Sequence, residues 1–104
     1  MVMGEFVKVA KAADIGNGTM KGFTVGEHKI LVANVGGRYF AIEDKCTHMS
    51  AKLSTGMLIG NIIMCMAHGA QFDVTTGEPL TSLGKSAVKT FEVQVNGDDL
   101  EIKI

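Results

Sequence analysis

The sequence predicts an all-β fold: an antiparallel β-sandwich or barrel with a small subdomain inserted at about residues 44–84. Three observations lead there. Strand-like segments joined by two-residue turn signals occupy both ends of the chain. No segment longer than a turn or two carries helical periodicity. Between the two ends the strand signals shorten and break up, and the unusual residues of the chain fall in that interval.

Taken in order, Phe6–Val9 is a short apolar segment, and Lys11–Asp14 suits a single helical turn ahead of the Gly16-Asn17-Gly18 break. Thr19–Val25 and His28–Val35 read as a hairpin about Gly26-Glu27, and Gly36-Gly37 turns the chain into Arg38–Glu43. The uninterrupted apolar run Ile30–Ala33 suits a strand covered on both faces. In the interval, Met57–Ile59, Ile62–Met64 and Gln71–Val74 are short strand candidates. At the C-terminal end Phe91, Val93 and Val95 alternate with Glu92 and Gln94, Asn96-Gly97 marks a hairpin, and Leu100, Ile102 and Ile104 form a one-sided return strand. Thirteen glycines in 104 residues, with no collagen period, agree with many tight turns.

Composition limits what the chain does. At 104 residues it is about the size of one small domain, for which a single core suffices, and its 46% hydrophobic and 20% charged residues place it among globular proteins. Ten basic and eleven acidic residues, scattered and summing to −1, offer no nucleic-acid patch. The uncharged stretch Leu53–Ala67 is broken by Ser54, Thr55, Gly56, Gly60 and Asn61, too often to span a membrane. Met1–Glu5 lacks the basic start and apolar middle of a secretory signal, so a soluble cytoplasmic protein is expected.

The interval contains Cys46-Thr47-His48 and, after sixteen intervening residues, Cys65-Met66-Ala67-His68. Two thiolates and two imidazoles complete a four-ligand set for zinc or for an iron–sulfur cluster. Read separately, the cysteines could be a disulfide or buried thiols and the histidines ordinary loop residues, but both readings leave their common register to coincidence. Zinc fingers usually place two cysteines in one knuckle and two histidines in the other, whereas each segment here supplies one of each. If each loop gives its cysteine to one iron and its histidine to the other, a two-iron cluster is clamped across both loops. His28, in a strand and without a partner motif, reads as structural, and Lys45 and Lys52 as solvated surface. Met49 and Met66 adjoin the ligands and are expected to pack over the site and exclude water.

That ligand division resembles the soluble Rieske-type [2Fe-2S] ferredoxins that serve oxygenases. The resemblance continues through Gly69 after the second histidine, Gln71-Phe72-Asp73, Thr76-Gly77-Glu78 and the Asn96-Gly97 hairpin, and so spans essentially the whole chain. It implies a single Rieske-like domain over 1–104, with a base subdomain of residues 1–43 and 85–104 and a cluster-binding insert at 44–84. It implies one [2Fe-2S] cluster, with Cys46 and Cys65 on one iron and His48 and His68 on the other. It further implies a monomeric one-electron carrier with no catalytic residues of its own. A flavoprotein reductase is the expected donor and a terminal oxygenase or related redox enzyme the acceptor. A second reading, a non-catalytic Rieske-fold subunit or metal-binding structural domain attached to a larger enzyme, has the intact ligand set against it.

The chain departs from that family at Met66-Ala67, where a proline and often an aromatic are usual, and at Gly84-Lys85-Ser86, where a proline-bearing loop is usual. Rieske proteins of cytochrome bc-type complexes resemble one another in an extra cysteine in each loop and in a serine and a tyrosine that bond to cluster sulfurs. This chain has Ser50 or Ala51, Ala67, Ala70 and Phe72 at the corresponding positions. The expected potential therefore lies in the lower part of the Rieske range of roughly −150 to +300 mV. Imidazole ligands also imply a potential that falls as pH rises.

Overall fold

The computed structural model describes residues 5–45, 52–66, 69–80 and 87–104. Ten strands are found among them: β1 (Phe6–Lys11), β2 (Met20–Val25), β3 (His28–Val35), β4 (Arg38–Glu43), β5 (Met57–Ile59), β6 (Ile62–Met64), β7 (Gln71–Asp73), β8 (Thr90–Phe91), β9 (Val93–Asn96) and β10 (Asp99–Lys103). They form three antiparallel sheets in the orders β1-β10-β9, β2-β3-β4-β8 and β5-β6-β7. The only helical pieces among the described residues are single 3₁₀ turns at Ala12–Asp14 and Leu53–Thr55.

The apolar run in β3 explains how the sheets stack. Successive side chains of a strand point to opposite faces. Ile30 and Val32, with Ala41 of β4, face the terminal sheet and pack with Leu100 and Ile102. Leu31 and Ala33, with Ile42, face the other way and pack with Leu53, Ile63, Phe72 and Val74. All of these are essentially removed from water, each large one contributing about 1.5–3 kcal/mol. The β2-β3-β4-β8 sheet is thus a middle layer between the terminal sheet and the small β5-β6-β7 sheet.

Two buried polar groups tie the layers together. Asn34 donates through Nδ2 to the Ile15 carbonyl at 2.9 Å and accepts from the Gly37 N–H at the same distance, joining the 3₁₀ segment to the β3–β4 hairpin. The Tyr39 hydroxyl reaches the Ala12 carbonyl at 2.8 Å. Asp44 is the second buried polar residue and belongs to the site described below. His28 is structural, its ring meeting Phe91 edge-on at 6.0 Å.

The C-terminal alternation read as one strand is two. Thr90–Phe91 pairs with β4 in the middle sheet, whereas Val93–Asn96 pairs with β10 in the terminal sheet, so the chain changes sheets at Glu92. The Glu92 carbonyl accepts from the Lys103 N–H at 3.0 Å across that break. Val95 ends up 48% exposed, beyond the core its alternation suggested. The hairpin signal also shifts by one residue: Asn96 pairs with Asp99, leaving Gly97-Asp98 as the turn.

Candidate metal centre

Of the four predicted ligands, Cys65 lies among the described residues; Cys46, His48 and His68 lie outside them, as do Met49 and the Gly84-Lys85-Ser86 segment. Cys65 is the first residue beyond β6 and is fully buried in the cluster that contains Ile63, Ala70 and Phe72. Its N–H donates to the Ala70 carbonyl at 2.7 Å, and its carbonyl accepts from the Gly69 N–H at 2.9 Å. Two backbone bonds therefore close the 65–70 connection just where β6 and β7 part, beside the Met64–Gln71 pair. Gly69 completes that path at φ +76°, a left-handed conformation that costs a residue with a Cβ about 1 kcal/mol or more. Met66, next to Cys65, is 60% exposed.

The first ligand-bearing segment leaves the middle sheet at Glu43 and returns at the Leu53–Thr55 turn. Its two ends are fastened to each other. The Asp44 carboxylate accepts from the Ser54 N–H at 2.7 Å through Oδ1 and from the Ser54 hydroxyl at 2.6 Å through Oδ2. The Asp44 N–H donates to the Lys29 carbonyl at 2.8 Å. Lys29, Lys45 and Lys52 line a recess of about 380 Å³ next to this carboxylate, together with Glu27, His28 and Glu43. Sequence reasoning missed Asp44 and Ser54, because an acidic residue after a strand and a serine before a turn are ordinary loop signals.

After β7 the chain is braced a third time. Asp73 accepts from the Thr75 hydroxyl at 2.6 Å, the Thr75 N–H at 2.9 Å and the Asn61 amide at 3.3 Å. These bonds, the Thr75 hydroxyl first, hold its carboxyl below the ordinary value of 3.8, against a smaller opposing effect of burial. The Gly77 carbonyl then accepts from the Val88 N–H at 2.8 Å, fixing the base of the 78–87 connection.

Among the described residues no group of three or more His, Cys, Asp or Glu side chains is assembled for a metal. What is described fits an iron–sulfur cluster: Cys65, buried among apolar residues, could hold iron through its thiolate, and those surroundings would keep water from that bond. Thiolate with imidazole is also a donor set that iron–sulfur clusters accept.

Residues 5–92 match the Rieske [2Fe-2S] domain family. The chain is 36% identical to the ferredoxin component of biphenyl 2,3-dioxygenase from Rhodococcus jostii, over 93% of this chain and 91% of that one. It is 38% identical to ferredoxin CarAc of Metapseudomonas resinovorans, over 93% and 92%. It superposes with a TM-score of 0.89, at 37% identity and 94% and 92% coverage, on a chain of the complex of reduced oxygenase and oxidized ferredoxin in carbazole 1,9a-dioxygenase. With its layered β fold, its buried loop cysteine and these matches along nine-tenths of its length, the chain belongs to the Rieske [2Fe-2S] domain family, as an electron-transfer protein of the ferredoxin kind rather than a catalytic enzyme.

Proposed function

We propose that the chain carries single electrons on one [2Fe-2S] cluster held by Cys46 and Cys65 on one iron and by His48 and His68 on the other. The observation that carries this reading is the buried Cys65, bonded through its backbone to Gly69 and Ala70, together with the Asp44–Ser54 bonds on either side of the Cys-x-His segment in the chain. When bound, the cluster supplies reversible one-electron chemistry between its diferric and mixed-valence states. The protein's part is to hold and to insulate. Apolar packing from Ile63, Ala70 and Phe72 dries the cysteine side. Residues 44–84 act as the cluster-bearing insert upon a base of residues 1–43 and 85–104.

The partners follow from the relatives, which are ferredoxin components of dioxygenase systems. A flavoprotein reductase delivers the electron and a terminal oxygenase receives it, with the chain working as a cytoplasmic monomer. Among the described residues no helix is long and apolar enough to cross a membrane. Exposed Met66 and Leu80, at 60% and 48%, flank the second loop and give a contacting enzyme an apolar rim to cover.

Iron and acid-labile sulfide analysis of four single alanine variants tests the ligand set. Cys46→Ala, Cys65→Ala, His48→Ala and His68→Ala should each lose the cluster or its native reduced-state spectrum. A variant that keeps full iron, full sulfide and an unchanged spectrum removes its residue from the set.

A further inference from the structure

We propose that Asp44 and Ser54, seated over Gly22, form a latch that ties together the chain on either side of Cys46 and His48 and thereby positions those two residues; this rests on the ligand set proposed above. The two latch residues are ten positions apart, and the four residues from Cys46 to Met49 fall between them. Asp44 is only 5% exposed, and a buried carboxylate is costly unless its oxygens are bonded. Here both oxygens are taken by one residue, through the Ser54 N–H at 2.7 Å and its hydroxyl at 2.6 Å. Bonds to an ionised acceptor are about twice as strong as neutral ones.

The latch is also fixed to the middle sheet. The Asp44 N–H is held by the Lys29 carbonyl at 2.8 Å, and the Lys45 N–H by the Glu43 carbonyl at 2.9 Å, so the chain enters the loop on a set course one residue before Cys46. On the other side lies Gly22 of β2. A Cβ there would stand 2.8 Å from Asp44 Oδ2 and 2.9 Å from Ser54 Oγ, closer than real Cβ contacts allow. The glycine therefore leaves room for the carboxylate–hydroxyl pair against the sheet. Opening this pair would remove the fastening between residues 44 and 54, on either side of Cys46 and His48 in the chain, a local opening distinct from global unfolding.

The test measures iron release from the cluster-loaded protein to a strong chelator, with the reduced-state paramagnetic resonance linewidth and the melting temperature recorded on the same samples. Ser54→Ala, which deletes one hydroxyl, should speed release by about tenfold. Asp44→Ala and Gly22→Ala should speed it further and broaden the lines. Asp44→Asn keeps an acceptor for the Ser54 N–H and a donor for its oxygen but makes both bonds neutral, and should speed release less than Asp44→Ala does. Tyr39→Phe removes the bond to Ala12 in the base; it should lower the melting temperature without speeding release. Wild-type release and linewidth in both Ser54→Ala and Asp44→Ala, or equal acceleration in Tyr39→Phe at matched stability, overturns the latch alone. If Asp44→Ala fails to fold, Ser54→Ala decides. Loaded wild-type protein without the histidine-ligated signal overturns the ligand reading, and the latch with it.

Discussion

Ala70 and Phe72 are fully buried beside Cys65 in the same apolar cluster. By resemblance to the cytochrome bc-type proteins, these are the positions of the sulfur-bonding serine and tyrosine. Both side chains here are apolar and fully buried, so neither adds a hydrogen bond that would favour the reduced state. Ala70→Ser is expected to raise the potential by about 60 mV, the equivalent of one hydrogen bond of about 1.4 kcal/mol. Redox titration of the variant beside wild type checks it, and an unchanged or lower value counts against the assignment. Asp73 makes a different prediction. Its folded-state value lies below the ordinary 3.8, so its stabilising effect is complete above that pH and is lost as pH falls through the lowered value. Thermal melts below pH 3.8 should show wild type losing stability with acidification, and Asp73→Asn should lose less over the same interval.

At the scale of elements, β3 serves two cores with alternate residues. Ile30→Ala and Leu31→Ala should each cost about 2–5 kcal/mol of stability by chemical denaturation. Leu31→Ala, which opens the side shared with Cys65, should also speed iron loss, whereas Ile30→Ala, facing Leu100 and Ile102, should not at equal stability. Equal acceleration in both would mean that the two cores are not separable. This element was legible in advance, because a four-residue apolar run between turn signals can be covered on both faces without knowing its partners. The β2–β3 and β3–β4 turns were legible for the same local reason. The change of sheet at Glu92 was not, since the alternation of Phe91, Val93 and Val95 is the same whether one partner strand or two receive it. The Asp44–Ser54 pair was illegible too: each residue suits a loop by itself, and only the fold places Gly22 beneath them.

At the scale of the molecule, three thin sheets stack with the small β5-β6-β7 sheet outermost, and its β6–β7 connection carries Cys65. The Cys-x-His and Cys-x-x-His segments stood out in the sequence because metal chemistry restricts residue type and spacing more tightly than packing restricts a strand; of their four candidate ligands Cys65 lies among the described residues. The closure of the loops could not be read in the sequence, since it depends on bonds to Lys29, Ala70 and Val88 made by folding. The most direct measurement is an electron paramagnetic resonance spectrum of the purified protein before and after dithionite, with metal content determined on the same sample. A signal that appears only on reduction, with the low average g of histidine ligation and with iron and sulfide in equal amounts, is the predicted result. A silent protein that contains zinc and cannot be reconstituted with iron and sulfide would contradict the electron-carrier account.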